Sequence, residues 1–330
     1  MLQYIFRRIL WMIPTIILTS VVAFYVIQLP PGSYVESYMA NLAAAGDTSA
    51  NSAEQLEHMR QMYGLDQPAY IQYFKWVWGI LTRGDFGMAF EYQQPVALII
   101  GKPLFYTMIY ILAAVVVTWL IAFPIGIYSA VRQYSSGDYI ATFVAFIGIS
   151  VPGFLVALLV MYFSMKYLRV TLGGFFSPEM EMAPWSPEKV WDMAQHIWVP
   201  VLITAYGGAA GLIRILRANL LDEMRRPYVV TARAKGLPEW KVIIKYPLRL
   251  ALNPFVSGLA FVVPNIVGTT VILSIIMNIP IAGATLFRSL TSQDMYLAGS
   301  VVLILSVVTI VGVLLSDILL SWLDPRIRYQ

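Results

Sequence analysis

Six long apolar runs, separated by polar segments, set the pattern of the chain. They extend from Ile9 to Leu29, Leu104 to Val131, Tyr139 to Met165, Ile197 to Ile213, Leu250 to Ile279 and Met295 to Leu323. Five of them exceed the roughly 20 residues that a helix needs to cross hydrocarbon, and the fourth is a short span. The pattern predicts an all-α polytopic membrane protein with six transmembrane helices. Arg7 and Arg8 precede the first run, which is longer than a signal-peptide core and lacks a small-residue cleavage site, so it reads as a retained span. Ser150-Val151-Pro152-Gly153 interrupts the third run. A proline there frees backbone groups that neighbours or water must satisfy, through either a packing kink or a kink lining a pathway. Gly207-Gly208-Ala209-Ala210-Gly211 in the fourth run offers close helix contact. The fifth run carries Pro254, Gly258, Pro264 and Gly268.

The polar segments divide the chain into residues 1–29, an N-terminus and first span; 30–103, an outer segment with an interfacial helix; and 104–330, a five-span core. Residues 30–103 open with a flexible part, AAAGDTSANSAEQ, and a helical piece around Glu54 to Met62. A short helix between Pro68 and Gly84 then carries Tyr70, Tyr73, Phe74, Trp76 and Trp78. Those rings suit an interfacial anchor, or an outer gate that touches substrate or its carrier. Lys166 to His196 reads as a second outer loop.

Residues 222–249 are the only long polar stretch with helical periodicity. Met224, Tyr228 and Ala232 recur every four residues as an apolar stripe, while Arg225, Arg226 and Arg233 fall on other faces. Pro227 opens a helix that Lys235-Gly236 stops, with Gly236 expected in the left-handed conformation. Pro238 and Glu239 begin a second helix with Trp240, Ile243 and Ile244, which Pro247 closes. Leu237 is expected at the turn as an exposed apolar tip.

Composition agrees with a membrane protein: 59% hydrophobic, 12% charged and a mean hydropathy of +0.70. The chain has no cysteine, which removes disulfides and thiolate metal sites. With six spans both termini share one side. The segments on that side hold 14 of the 22 Lys and Arg residues, which marks it as cytoplasmic. Residues 222–249 lie on the same side. The basic residues follow this topology signal, and no nucleic-acid partner is implied.

The search for chemistry returns little. No phosphate-binding loop, nucleophile elbow, zinc motif or carboxylate cluster occurs, so no catalytic residue and no metal site is assigned. His58 and His196 stand alone and read as loop residues. Asp317 is the one ionisable residue within a span. It lies near the inner end, within reach of a basic side chain or a helix end, and reads as structural; a coupling-proton role is the alternative.

Val230-Thr231-Ala232-Arg233-Ala234-Lys235-Gly236-Leu237 resembles the EAA loop of ABC importer permeases, in the form of the dipeptide/oligopeptide/nickel branch. Val230 stands where that motif has an acid and Thr231 replaces its first alanine, while Ala232 and Gly236 fit. Leu29-Pro30-Pro31-Gly32, YGLDQP, RGDFG, the Pro152 break, Asp317 and Asp324-Pro325-Arg326-Ile327-Arg328 are similar to the same branch. The resemblance implies the type I ABC importer permease fold in a multi-pass prokaryotic inner membrane protein. Implied partners are a second permease, two cytoplasmic ATPases and an extracytoplasmic binding protein, besides the bilayer itself. It also implies alternating access, with ATP and Mg held by the partner subunits and no cofactor in this chain. Residues Thr231 to Leu237 would form the coupling contact with the ATPase. An ion-coupled secondary transporter and a membrane scaffold are the rival readings, although midplane charges and inverted repeats are missing for the first. Oligopeptide and oligosaccharide both stay open as substrate, with nickel behind them, and no substrate-binding residue is assigned.

Overall fold

The computed structural model describes residues 2–29, 36, 61, 66–170 and 172–323. The flexible part, the piece around Glu54 to Met62, His58, the Leu29-Pro30-Pro31-Gly32 and YGLDQP signatures in large part, and the closing Asp324 to Gln330 lie outside them. The chain divides into two units. One comprises Met1–Ile9, Met108–Ile279 and Thr309–Gln330; the other Leu10–Thr107 and Pro280–Val308.

The elements run α1 (Leu2–Gln28), α2 (Ala69–Arg83), β1 (Met88–Ala89), β2 (Gln94–Pro95), α3 (Val96–Val131), α4 (Ser136–Ser150) and α5 (Gly153–Phe163), followed by a wide turn at Ser164–Leu168. Then come α6 (Pro178–Glu181), α7 (Pro187–Met224), α8 (Pro227–Ala234), α9 (Glu239–Lys245), α10 (Pro247–Ala251), α11 (Asn253–Gly258), α12 (Val262–Ile276), α13 (Ala282–Thr291) and α14 (Met295–Leu323). Among the described residues five stretches are long and apolar enough to cross a membrane, and a sixth is counted if α4 and α5 make one span.

Two expectations change. The third span is bent by 95° where a kink was expected. Pro152 has no N–H to continue the ladder and holds Val151 extended, at φ −97° and ψ 120°, so the chain turns almost at a right angle. The fourth span is far longer than its apolar run, because α7 continues through 38 residues from Pro187 to Met224. Polar residues at both ends of α7 mask that continuity in a hydropathy pattern. His196 therefore lies on this helix, not in a loop, with Nδ1 2.7 Å from the Asp192 carbonyl. The outer loop shortens to residues before Pro187. Lys189 closes it from the first turn of α7: its buried ammonium donates to the carbonyls of Glu181 (3.2 Å) and Ala183 (2.6 Å) and lies over the Phe176 and Trp185 rings.

In the first unit, α3, α7 and α10–α11 share a core of Ala122, Ala130, Ile213, Leu216, Leu220 and Phe255. Fully buried Tyr110 pins α3 to α7 by donating to the Pro200 carbonyl (2.9 Å), and its hydroxyl lies 2.7 Å from Thr204 Oγ1. In the second unit, Phe24 of α1 stacks on Trp76 of α2 with centroids 5.6 Å apart, and Leu303 completes that core. Helix α2 is the aromatic helix expected from the sequence. Tyr73 and Trp76 are buried, while Tyr70, Phe74 and Trp78, four residues apart, form an exposed apolar stripe.

Candidate functional site

The polar segment folds as the helix pair expected. Helix α7 ends at Met224 because Pro227 forces Arg226 into an extended conformation, φ −70° and ψ 146°, and then starts α8 from its first position. Eight residues later the chain turns at Lys235-Gly236. Gly236 has φ +74°, the left-handed region where a Cβ is penalised, and nothing lies within 4 Å of where that Cβ would sit. The requirement for glycine is therefore one of backbone conformation, not of space. Pro238 leads into α9, and Pro247 ends it as the first residue of α10.

What holds the pair together differs from the expected stripe. Met224 belongs to α7, and Tyr228 lies at the edge, donating to the Glu223 carboxylate. Burial, with Glu223 beside it, pushes the Tyr228 phenol above its ordinary range. The internal face is Val229, Ala232 and Val242, with Leu237 and Tyr246 packed against it. A break at Arg225-Arg226 resets the helical phase, which a four-residue spacing read across it cannot register.

Among the coupling candidates, Thr231, Arg233, Ala234, Lys235 and Gly236 are exposed. Ala232, only 4% exposed, packs inside the pair, and Leu237 is half-buried against the same cluster instead of projecting as a tip. Thr231 Oγ1 donates back to the Pro227 carbonyl at 3.0 Å. Arg233 spans the turn to Glu239, with Nη2 2.6 Å and Nε 3.1 Å from carboxylate oxygens. Val230, Trp240 and Ile244 are large apolar side chains left exposed on the pair. No signal singled out Val230.

Asp317 meets a basic partner as its position suggested: Arg8 Nη1 lies 3.1 Å from Oδ2. A second ion pair joins residues that no local pattern pairs. Asp138, buried at the start of α4, receives Arg217 Nε at 2.9 Å and Nη2 at 2.8 Å, plus the Tyr134 N–H at 2.9 Å. Ser135 Oγ in turn accepts the Asp138 N–H at 3.2 Å. This fork-to-carboxylate contact ties the broken span to α7.

The broken span also opens a cavity of about 540 Å³. Its walls are the end of α4, the Val151-Pro152-Gly153 break, α7 from Ile203 to Arg214, and α12 around Asn265 and Thr269. Tyr206 fixes one wall by donating to the Val144 carbonyl at 2.5 Å. The glycine-alanine stretch of α7 divides: Ala209 and Ala210 pack inward, whereas Gly207 and Gly211 border the cavity.

Residues 122–329 match the family described as the inner membrane component of binding-protein-dependent transport systems, and residues 1–108 match the N-terminal family of the same membrane components. The chain belongs to this family. It is a transport permease of the inner membrane with the type I ABC permease fold. The chain is 32% identical over its full length to the oligopeptide transport system permease protein AppB of Bacillus subtilis (strain 168), which is also covered in full. It is 30% identical to the glutathione transport system permease protein GsiC of Escherichia coli (strain K12), again with both chains fully covered. Among the three readings left open by the sequence, ABC permease stands, and the secondary transporter and the scaffold fall. The polar helix pair of this permease lies within the matched region, as do the Asp138–Arg217 clamp and the cavity.

Proposed function

We propose that this permease is one of two membrane subunits of an ATP-driven importer of short peptides. A binding protein delivers substrate from outside, and two cytoplasmic ATPases bind ATP and Mg and drive alternating access. Both termini and the α8–α9 pair face the cytoplasm, as the excess of basic residues there favours. The peptide assignment follows the names of the relatives; nothing comparable speaks for an oligosaccharide. In this reading residues 1–29, 30–103 and 104–330 are the first span, an extracytoplasmic segment and the permease core. Asp317 and Arg8 form a structural pair.

The observation that carries the coupling role is the helix pair itself. A cluster of Val229, Ala232 and Val242 makes it a self-supporting unit, yet Val230, Trp240 and Ile244 remain exposed outside that cluster. A short rigid helix with an apolar face can seat in a groove and transmit a displacement. The contact then runs through Val230 and the exposed residues Thr231 and Arg233 to Gly236, while Ala232 and Leu237 act from inside by keeping the pair rigid.

Val230→Lys tests this directly, because it puts on the outer face a charge opposite in sign to the acid that the related motif carries there, without entering the cluster. The variant permease should insert in the membrane yet fail to retain the ATPases on co-purification. Gly236→Val, which strains the left-handed turn, should weaken retention as well. If both variants hold the ATPases at the wild-type ratio and stimulate their turnover normally, the α8–α9 pair is not the coupling element.

A further inference from the structure

The cavity at the broken span carries a charge that the fold does not use. Among the described residues Arg214 is the one charged residue in its lining, and no carboxylate borders it. Its guanidinium lies over the Phe146 ring, 5.9 Å from the centroid, and among the described residues it has no acid partner and no hydrogen bond. Three residues further along α7, Arg217 is fully engaged by Asp138. The second unspent polar group is the Asn265 side chain on α12, which is exposed and makes no hydrogen bond among the described residues. It sits within a run of apolar residues, one turn before Thr269, which also borders the cavity. Asn265 and Arg214 both lie on long helices with apolar stretches, where polar groups against lipid are costly and, where they occur, face water-filled paths or ligands.

We propose that this cavity is a carboxylate subsite on the transport path, with Arg214 gripping the carboxylate of a passing peptide and Asn265 donating to the same group. Arginine's planar fork matches a carboxylate with two parallel hydrogen bonds, and the lack of any acid in the lining leaves the local field positive. A volume of about 540 Å³ falls among small-molecule sites, which run from roughly 300 to 1,000 Å³. Gly207 and Gly211 keep the α7 wall free of side chains beside Arg214, so an extended backbone can lie along it. The inference rests on the peptide-importer reading and adds a selectivity to it that belongs to the permease, separate from the binding protein.

The test uses the complete importer in proteoliposomes, with trialanine and trialanine amide each delivered on the importer's saturated binding protein. The quantity read is the ratio of acid to amide uptake. Comparing that ratio between permease variants cancels the preference of the binding protein, which is common to all. Arg214→Gln should lower the ratio about tenfold, the scale of one charge-assisted hydrogen-bonded contact. Arg214→Lys, which keeps the charge and loses the fork, should fall between wild type and Arg214→Gln, and Asn265→Ala should lower the ratio about threefold. An unchanged ratio, with both peptides slowed alike or neither slowed, overturns the subsite. Should Arg214→Gln not reach the membrane, unaltered ratios in Arg214→Lys and Asn265→Ala overturn it equally. A wild-type importer that hydrolyses ATP but moves neither peptide sinks the peptide reading instead.

Discussion

Asp138 and Asp294 are both buried aspartates at a helix start, and each ties its helix to a distant segment, but they are held in different ways. Asp138, at the beginning of α4, faces an arginine 79 residues away along the chain. Asp294, immediately before α14, has among the described residues only backbone donors: the N–H groups of Phe90 (2.5 Å), Glu91 (3.3 Å) and Leu297 (3.1 Å). Phe90 and Glu91 form the turn between β1 and β2, so Asp294 anchors that hairpin while capping α14. One carboxylate is neutralised by a full opposite charge, the other by partial charges on amides. The first arrangement is strong and fails if either partner is removed. The second leaves a carboxylate in a desolvated place, where its own protonation becomes the alternative to ionisation.

The sharpest way to break the comparison is to remove one side of the arginine clamp. Asp138 is 3% and Arg217 26% exposed at the side chain, so Asp138→Ala leaves a largely buried guanidinium without its counter-charge. A loss of roughly 3–5 kcal/mol in stability is expected, read as a large fall in the apparent midpoint of thermal unfolding in detergent. Arg217→Ala should cost a similar amount. A shift within the noise for both would mean that the clamp contributes nothing net.

Asp294 should respond to pH instead. Burial pushes its carboxyl from 3.8 up to about 6, against the pull of the three backbone N–H groups. The folded chain therefore keeps this proton to a higher pH than the unfolded chain does. The resulting stabilisation is complete below about pH 4 and is lost as the pH rises through 6. At about 1.4 kcal/mol per unit the change is on the order of 3 kcal/mol. Asp294→Asn, neutral throughout, should flatten this part of the stability profile. A wild-type profile that rises from pH 4 to 7, or one that Asp294→Asn leaves unaltered, would assign the dependence to other groups.

How much of this was legible in the sequence depends on the range of the interaction. Apolar length, proline placement and periodicity are local, and they account for five spans, with the bent α4–α5 pair as a sixth when taken as one, and for the glycine turn at Gly236 and the helix between Pro68 and Gly84, all present among the described residues. Ser135 to Asp138 has the S-x-x-D spacing of a helix cap, so the start of α4 was readable, but nothing local names Arg217 as the partner. The right-angle break after Ser150 was visible as a proline, while its size depends on how α4 and α5 pack against α7 and α12. Arg214 counted only toward the inner charge excess, because a hydropathy pattern ends the span at Ile213 while α7 continues. The buried stripe of α8 departs from the four-residue spacing for a related reason: the helix restarts with a new phase at Pro227, and a period carried through that point places Met224 and Tyr228 on the wrong face.

The smallest effect is expected at Arg233 and Glu239, which supply the exposed counterpart of the Asp138 clamp. Both pairs put Nε and Nη2 of an arginine on one carboxylate at closely similar distances, 2.8–2.9 Å for Arg217 and 2.6–3.2 Å for Arg233. The difference is solvent: Arg233 and Glu239 are 39% and 52% exposed. Water screens the attraction and hydrates either partner when the other is removed, so the penalty that dominates at Asp138 is absent. A double-mutant cycle with Arg233→Gln and Glu239→Gln should give a coupling energy of about 0.5 kcal/mol, shrinking further at 1 M salt, where the Debye length is about 3 Å. The α8–α9 pair would then owe its rigidity to Val229, Ala232 and Val242, and Ala232→Glu, which drives a charge among them, should unfold the pair where Arg233→Gln does not. A coupling energy above roughly 2 kcal/mol, insensitive to salt, would place the ion pair beside the buried clamp and remove the contrast between them.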